Sequence, residues 1–174
     1  MQTSTDQTTK MEVRHDEAAK AKVHEMIGKA RFAMMGTYDA SGAAHSRPMA
    51  AVEHGGGELW FFTRADSRKV SELRRDPRVL LDYADADRQN YVSLVGRAHV
   101  TQDKGKAKEL WTEALRTWFP DGPEDDAIAL VHVDVQSAEY WDSPSSAMVH
   151  AYGYVKARLT GEPPAPGEVA HVEM

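Results

Sequence analysis

Between residues 16 and 30 the apolar positions Ala19, Val23, Met26 and Ile27 recur at three- and four-residue spacing. That period predicts an amphipathic helix with Asp16 available as its cap. The pattern then changes. "RFAMMGTYD" has strand composition, "DASG" is a turn signal, and "AHSRPMAAVEH" reads as the returning strand of a hairpin. After "GGG" at 55–57 comes a further strand, 58–63. Three strands with such short connections are expected to be antiparallel neighbours. A helix over 67–75 ends before "DP", because the residue preceding proline disfavours the α region. "RVLLDYAD" is the next strand. Beyond "ADRQN", residues 91–100 alternate, with Val92, Leu94, Gly96, Ala98 and Val100 on one face and Ser93 and Arg97 among those on the other.

"DKGKAKELWTEALRTWF" reads as a helix whose stripe is Ala107, Leu110, Trp111, Ala114, Leu115 and Trp118, the tryptophans packing it onto the sheet. A loop, "PDGPEDD", precedes the last strands, "AIALVHVDVQ" and the adjoining "AEYWD"; a helix over 146–159 and a Pro/Gly-rich tail follow. Strands in runs with helices at the edges do not spell alternating βαβ units. They indicate a mainly β, α+β domain built on an antiparallel sheet or small barrel. The expected organisation is a loose polar arm over 1–14, one domain over 15–160, and a tail over 161–174.

Composition narrows the function classes. At 174 residues, 41% apolar and 28% charged, the chain has the profile of one globular domain. A net charge of -6 argues against a general affinity for nucleic acid. With no cysteine, thiolate chemistry is excluded and any redox activity must come from a bound cofactor. No apolar run approaches the roughly 18 residues of a membrane span, and the first 20 residues lack the apolar segment of a secretory signal. The expectation is a cytoplasmic protein with no membrane partner.

The chemistry concentrates in "LWFFTRADSRKVSELRRDP". A strand turns through Arg64, Ala65 and Asp66 into a helix whose first turn holds Ser67, Arg68 and Lys69. Cations oppose the positive end of the helix macrodipole, whereas an anion suits both the dipole and the unpaired N–H groups there. Two readings follow: a phosphate held by Arg68 and Lys69, or a solvated face on which Asp66 and Glu72 neutralise them. The neighbouring strand carries Arg47 among small and apolar residues, followed by Pro48, which suits an edge or a bulge. An arginine there either faces solvent or meets an anion.

Taken in order, "RPMAAV", "FFTRADSRK", "YVSLVGRA" and "AEYWD" resemble the flavin-binding split barrels of the pyridoxamine-phosphate-oxidase-like superfamily, most closely their bacterial general-stress-protein branch. The resemblance runs from about Arg31 to Trp141. It implies a six-stranded antiparallel split β-barrel with peripheral helices, a homodimer with the flavin at the interface, and FMN as cofactor, with FAD the second candidate. It places Arg47 near the phosphate, the Pro48, Met49 and Ala50 backbone near the ring, and Phe62 and Thr63 beside the ring and ribityl chain. Ser67, Arg68 and Lys69 would take the phosphate. Trp141 would stand near the cofactor, contributed across the dimer.

Two departures bear on the activity. The residues after Trp141, "DSPSSAMVHAYGYVKARL", offer no Arg-x-His-x-Arg pattern of the kind that handles the vitamin B6 phosphate, and a glutamine common at the start of the fifth strand is replaced around Tyr91. The expected function is a flavin-dependent oxidoreductase acting on a small-molecule electron donor or acceptor, not on vitamin B6. The alternatives are a non-catalytic flavin store or sensor and a deazaflavin- or haem-binding barrel. No metal centre is expected: His132 and Asp134 share a strand face, but the sequence shows no third ligand near them.

Overall fold

The computed structural model describes residues 12–14, 17–55, 58–142 and 168–174. In chain order the elements are β1 (Glu12–Arg14), α1 (Glu17–Lys29), β2 (Ala33–Tyr38), β3 (Ala44–Met49), β4 (Ala51–Gly55), β5 (Glu58–Arg64), α2 (Arg68–Arg75), β6 (Arg78–Asp85) and β7 (Asn90–Thr101). They continue with α3 (Lys104–Glu109), a 3-10 helix (Glu113–Thr117), β8 (Ile128–Asp142) and β9 (Glu168–Glu173).

Antiparallel pairing runs without interruption through β4, β5, β8, β7, β6, β2 and β3. Its two ends, β3 and β4, are separated by Ala50 alone, so the ring closes through the chain and not through a ladder. Counted as one bent strand, β3 and β4 complete the expected six-stranded split barrel. Pro48 costs the ladder little, because among the described residues β3 pairs with β2 alone and its other edge has no partner strand.

The periodicities that predicted these elements are the ones that bury them. Ala19, Val23, Met26 and Ile27 of α1 join Val92, Leu94 and Ala98 of β7 in one core with Met35, Phe61, Leu81 and Tyr140. A second, smaller core lies on the outer sheet face, where α3 and the 3-10 helix cover Phe62, Ile128 and Leu130. Here the expected single helix breaks. Thr112 is extended, and beyond it the chain turns back so that Trp111 and Phe119 both close on Phe62, with ring centroids 6.0 and 6.1 Å away. Trp118, read as part of the buried stripe, is 64% exposed.

β8 forks: residues 128–134 pair with β5 and residues 137–142 with β9. β9 occupies sequence expected to be tail, and it in turn pairs in parallel with β1, in sequence expected to be arm. Its alternation, which buries Ala170 and Val172, is too short to be read behind the Pro/Gly-rich stretch. The helix expected over 146–159 lies outside the described residues.

Of the described glycines, Gly96 is the most closely packed. The β7–β8 register shifts between Val95 and Gly96, and a Cβ added at Gly96 would lie 2.4 Å from the Asp134 carbonyl oxygen and 3.0 Å from Val133 Cγ1. Because the first obstacle is backbone, no rotamer change relieves it. Gly96→Ala is expected to destabilise the protein by about 1–3 kcal/mol, the usual cost of overpacking, read as a lowered urea midpoint.

Candidate functional site

β5 alternates Leu59 and Phe61 inward with Trp60 and Phe62 outward, and its end is pinned where the Ala65 amide donates to the Ala127 carbonyl at 2.7 Å. The turn back from Arg64 to Ser67 starts α2, which buries Val70 and Leu73 against the barrel. Ser67 stands at the N-cap position in extended conformation and makes no side-chain cap. It faces Thr63 Oγ1 at 3.4 Å instead.

The N-terminus of α2 opens onto a cleft of about 470 Å³ between this corner and the gap at Ala50. That volume suits a small-molecule ligand. Pro48, Met49, Ala50, Phe62, Thr63, Ser67 and Lys69 line it, together with Phe32, Arg64, Leu115, Trp118 and Phe119. The sequence marks Leu115 and Trp118 only as part of a helix stripe and Arg64 only as part of a turn; it does not single out Phe32 or Phe119. Phe32 precedes β2, outside any periodic pattern, and the break at Thr112, which no strong breaker announces, brings Leu115, Trp118 and Phe119 to the cleft.

Arg47, Arg68 and Trp141 are not brought into the cleft lining. Arg47 and Arg68 converge from the other side on Glu72, a carboxylate only 1% exposed. Glu72 accepts from Thr37 Oγ1 at 2.6 Å, from Arg68 Nε at 2.7 Å and from an Arg47 guanidinium nitrogen at 3.2 Å. Arg47 also donates to Thr37 Oγ1 and to the Met35 carbonyl. Arg68 reaches on to Asp39 at 3.3 Å. Burial pushes the Glu72 carboxyl up, but the hydrogen bonds from Thr37 and Arg68 and the two guanidinium charges outweigh it and hold the group below its ordinary range. The anion that meets the strand arginine here is the protein's own. Asp66 neutralises Arg64 and not the helix cations.

Lys69 is different. Its ammonium donates to Thr63 Oγ1 at 2.8 Å, and among the described residues it has no carboxylate at ion-pair distance. Burial and, after it, the Arg47 charge push its pKa down, with Glu72 opposing them weakly. A half-buried, unneutralised cation beside a helix N-terminus, over a cleft walled by Phe62, Trp118 and Phe119, suits a ligand with an anionic end and an aromatic body.

Trp141 sits on the opposite part of the sheet, 36% exposed. Through the registers Trp141–Tyr91, Val95–Leu80 and Met34–Asp82–Ser93 it shares one outward sheet face with Met34, Tyr91 and Val95, all exposed.

A split barrel with a cationic cleft at the strand-to-helix corner defines the class of protein. The profile of the family described as "Pyridoxamine 5'-phosphate oxidase like" matches residues 18–165, and the chain belongs to that family. It is 28% identical over 144 residues to Protein bli-3 of Neurospora crassa, spanning 76% of this chain and 69% of that one. A putative general stress protein 26 from Jannaschia sp. CCS1 shares the fold at TM-score 0.72 with 23% identity, covering 90% of this chain and 99% of its own. The general stress FMN/FAD binding protein of Xanthomonas citri is similar at TM-score 0.67 and 27% identity, over 75% of this chain and 93% of that one. Among the described residues no helix is long and apolar enough to cross a membrane.

Proposed function

We propose that the chain binds a flavin, FMN in the first instance and FAD as the second candidate, and acts as a flavin-dependent oxidoreductase of the general-stress type. The observation that carries this reading is Lys69, a cation with no carboxylate at ion-pair distance among the described residues, at the head of α2 and at the edge of an apolar cleft. Its ammonium, the Ser67 hydroxyl and the first-turn amides of α2 would hold the phosphate. Phe62 and the Pro48 to Ala50 backbone would border the ring. Arg47 and Arg68 would act at one remove, adding positive potential from behind Glu72.

When bound, the flavin supplies the hydride and electron chemistry; the chain's own residues fix its orientation and exclude water from one face. The small-molecule donor or acceptor would approach on the open side. The outward apolar face carrying Met34, Tyr91, Val95 and Trp141 would be covered by a second copy, making the protein a homodimer with Trp141 presented to the partner. A flavin store or sensor is the second reading, favoured by the lining, which among the described residues holds no histidine or carboxylate to act as a general acid or base.

The test is a visible spectrum of the purified protein after FMN addition and gel filtration. A flavin band that co-elutes with the protein, with its fluorescence quenched, is the expected result, and a folded protein that elutes without flavin rejects the proposal. Rapid bleaching of that band by NADH or NADPH favours the oxidoreductase. A band that neither nucleotide reduces favours the store or sensor.

A further inference from the structure

The outer sheet face carries a second cluster, two to four residues along β5 from Phe62, about 7–13 Å at the strand rise, and none of its residues lines the cleft. Glu58 and Asp134 face each other across the β5–β8 ladder, and His132 lies opposite Trp60 on the same face. One ligand atom from each of Glu58, His132 and Asp134 falls within 4.8 Å of the other two. Strand pairing thus supplies the third ligand that His132 and Asp134 lack in the sequence.

We propose that Glu58, His132 and Asp134 form a binding site for one divalent transition-metal ion of the Zn2+ class. The first argument is an unpartnered ring nitrogen. His132 Nε2 is buried and, among the described residues, has no hydrogen-bond partner. It stands 3.6 Å from Glu58 Oε2 and 3.5 Å from Asp134 Oδ1, long for hydrogen bonds. Bonds of about 2.0–2.2 Å at tetrahedral angles give ligand-to-ligand edges of about 3.3–3.6 Å, so both histidine edges already have the length a single ion requires.

The second argument is preorganisation. The His132 ring is stacked on Trp60, centroids 4.4 Å apart and planes 20° apart, which fixes where its nitrogen points. His99, opposite His132 on β7, places Nε2 3.2 Å from Asp134 Oδ2, the oxygen not turned toward His132. A histidine holding the far oxygen of a ligating carboxylate is an outer-shell partner of the usual kind. The third argument is charge and softness. Two carboxylates and one imidazole bring two negative charges to a dication, and the imidazole favours zinc, nickel or copper over magnesium or calcium. Glu58 and Asp134 are exposed, leaving the fourth position open to water.

The ion would clamp β5 to β8 beside the cleft without touching the flavin. The experiment is calorimetric titration of the full chain with Zn2+ in a non-chelating buffer, on the wild type and on His132→Ala, Glu58→Gln and Asp134→Asn. About one equivalent of Zn2+ should bind, at least tenfold more weakly in each variant, while Lys69→Met and His171→Ala should bind it normally. Should His132→Ala fail to fold, the two exposed carboxylate variants carry the result. Zn2+ affinity unchanged in Glu58→Gln and Asp134→Asn, or no saturable binding to the wild type, overturns the site.

Discussion

Lys69→Met is expected to weaken FMN binding by about 10- to 150-fold, the equivalent of the 1.5–3 kcal/mol of a hydrogen bond to a charged group. Methionine keeps most of the length and apolar stem, so the protein should fold and only the charge is lost. Arg68→Ala should weaken binding far less, because that guanidinium is committed to Glu72 and Asp39. Fluorescence titration with FMN measures both. The pH dependence separates a phosphate contact from simple packing. Burial, then Arg47, lowers the Lys69 pKa in the free protein, and a phosphate beside it would raise it again. Binding therefore takes up a proton when the pH lies between these two values. Affinity should be full below the free-protein value and fall as pH rises through it. In Lys69→Met that slope should vanish. A variant that binds FMN as tightly as the wild type, or Arg68→Ala losing as much as Lys69→Met, would remove the lysine from the phosphate site.

The strand-to-helix corner shows what the chain discloses on its own. Strand and helix periods place Phe62, Thr63, Ser67 and Lys69 on a connection only a few residues long, so their convergence is local and can be read directly. Pro48 and Ala50 join them because a strand with a missing donor must sit on an edge, and the edge is where the barrel opens. The partner of Arg47 could not be read this way. Whether a strand arginine meets a ligand or a buried carboxylate depends on the packing of α2 against β2, which brings Thr37 and Glu72 together across 35 residues. Glu72 has the helical spacing of a solvent-facing salt-bridge partner for Arg68, and only the third dimension buries it. The fork of β8 and the third ligand beside His132 escape for the same reason. Both are set by register between distant strands, and alternation fixes a face but not a neighbour.

Glu72→Ala is expected to cost about 3 kcal/mol of folding stability, the lower end of the range for stripping one partner from a buried ion pair. The lower end applies because Arg68 stays 60% exposed and recovers solvent, whereas the Arg47 side chain, 21% exposed, does not. The loss has two parts. Thr37, fully buried, surrenders its acceptor, and Arg47 is left facing Lys69 with no intervening negative charge. Glu72→Gln keeps an acceptor for Thr37 and should fall between the alanine variant and the wild type. Asp66→Ala, which removes only an exposed pair with Arg64, should leave the urea midpoint where it is. The sign with pH follows from the lowered Glu72 pKa. The unfolded state takes up the proton first, so the stabilisation is complete above the ordinary value of 4.5 and is lost as pH falls below it through the folded-state value. Urea unfolding at a series of pH values should show this acid slope in the wild type and a flatter one in Glu72→Gln. An alanine variant as stable as the wild type would mean that the two arginines hold their places without the carboxylate, and that Glu72 positions nothing behind the cleft.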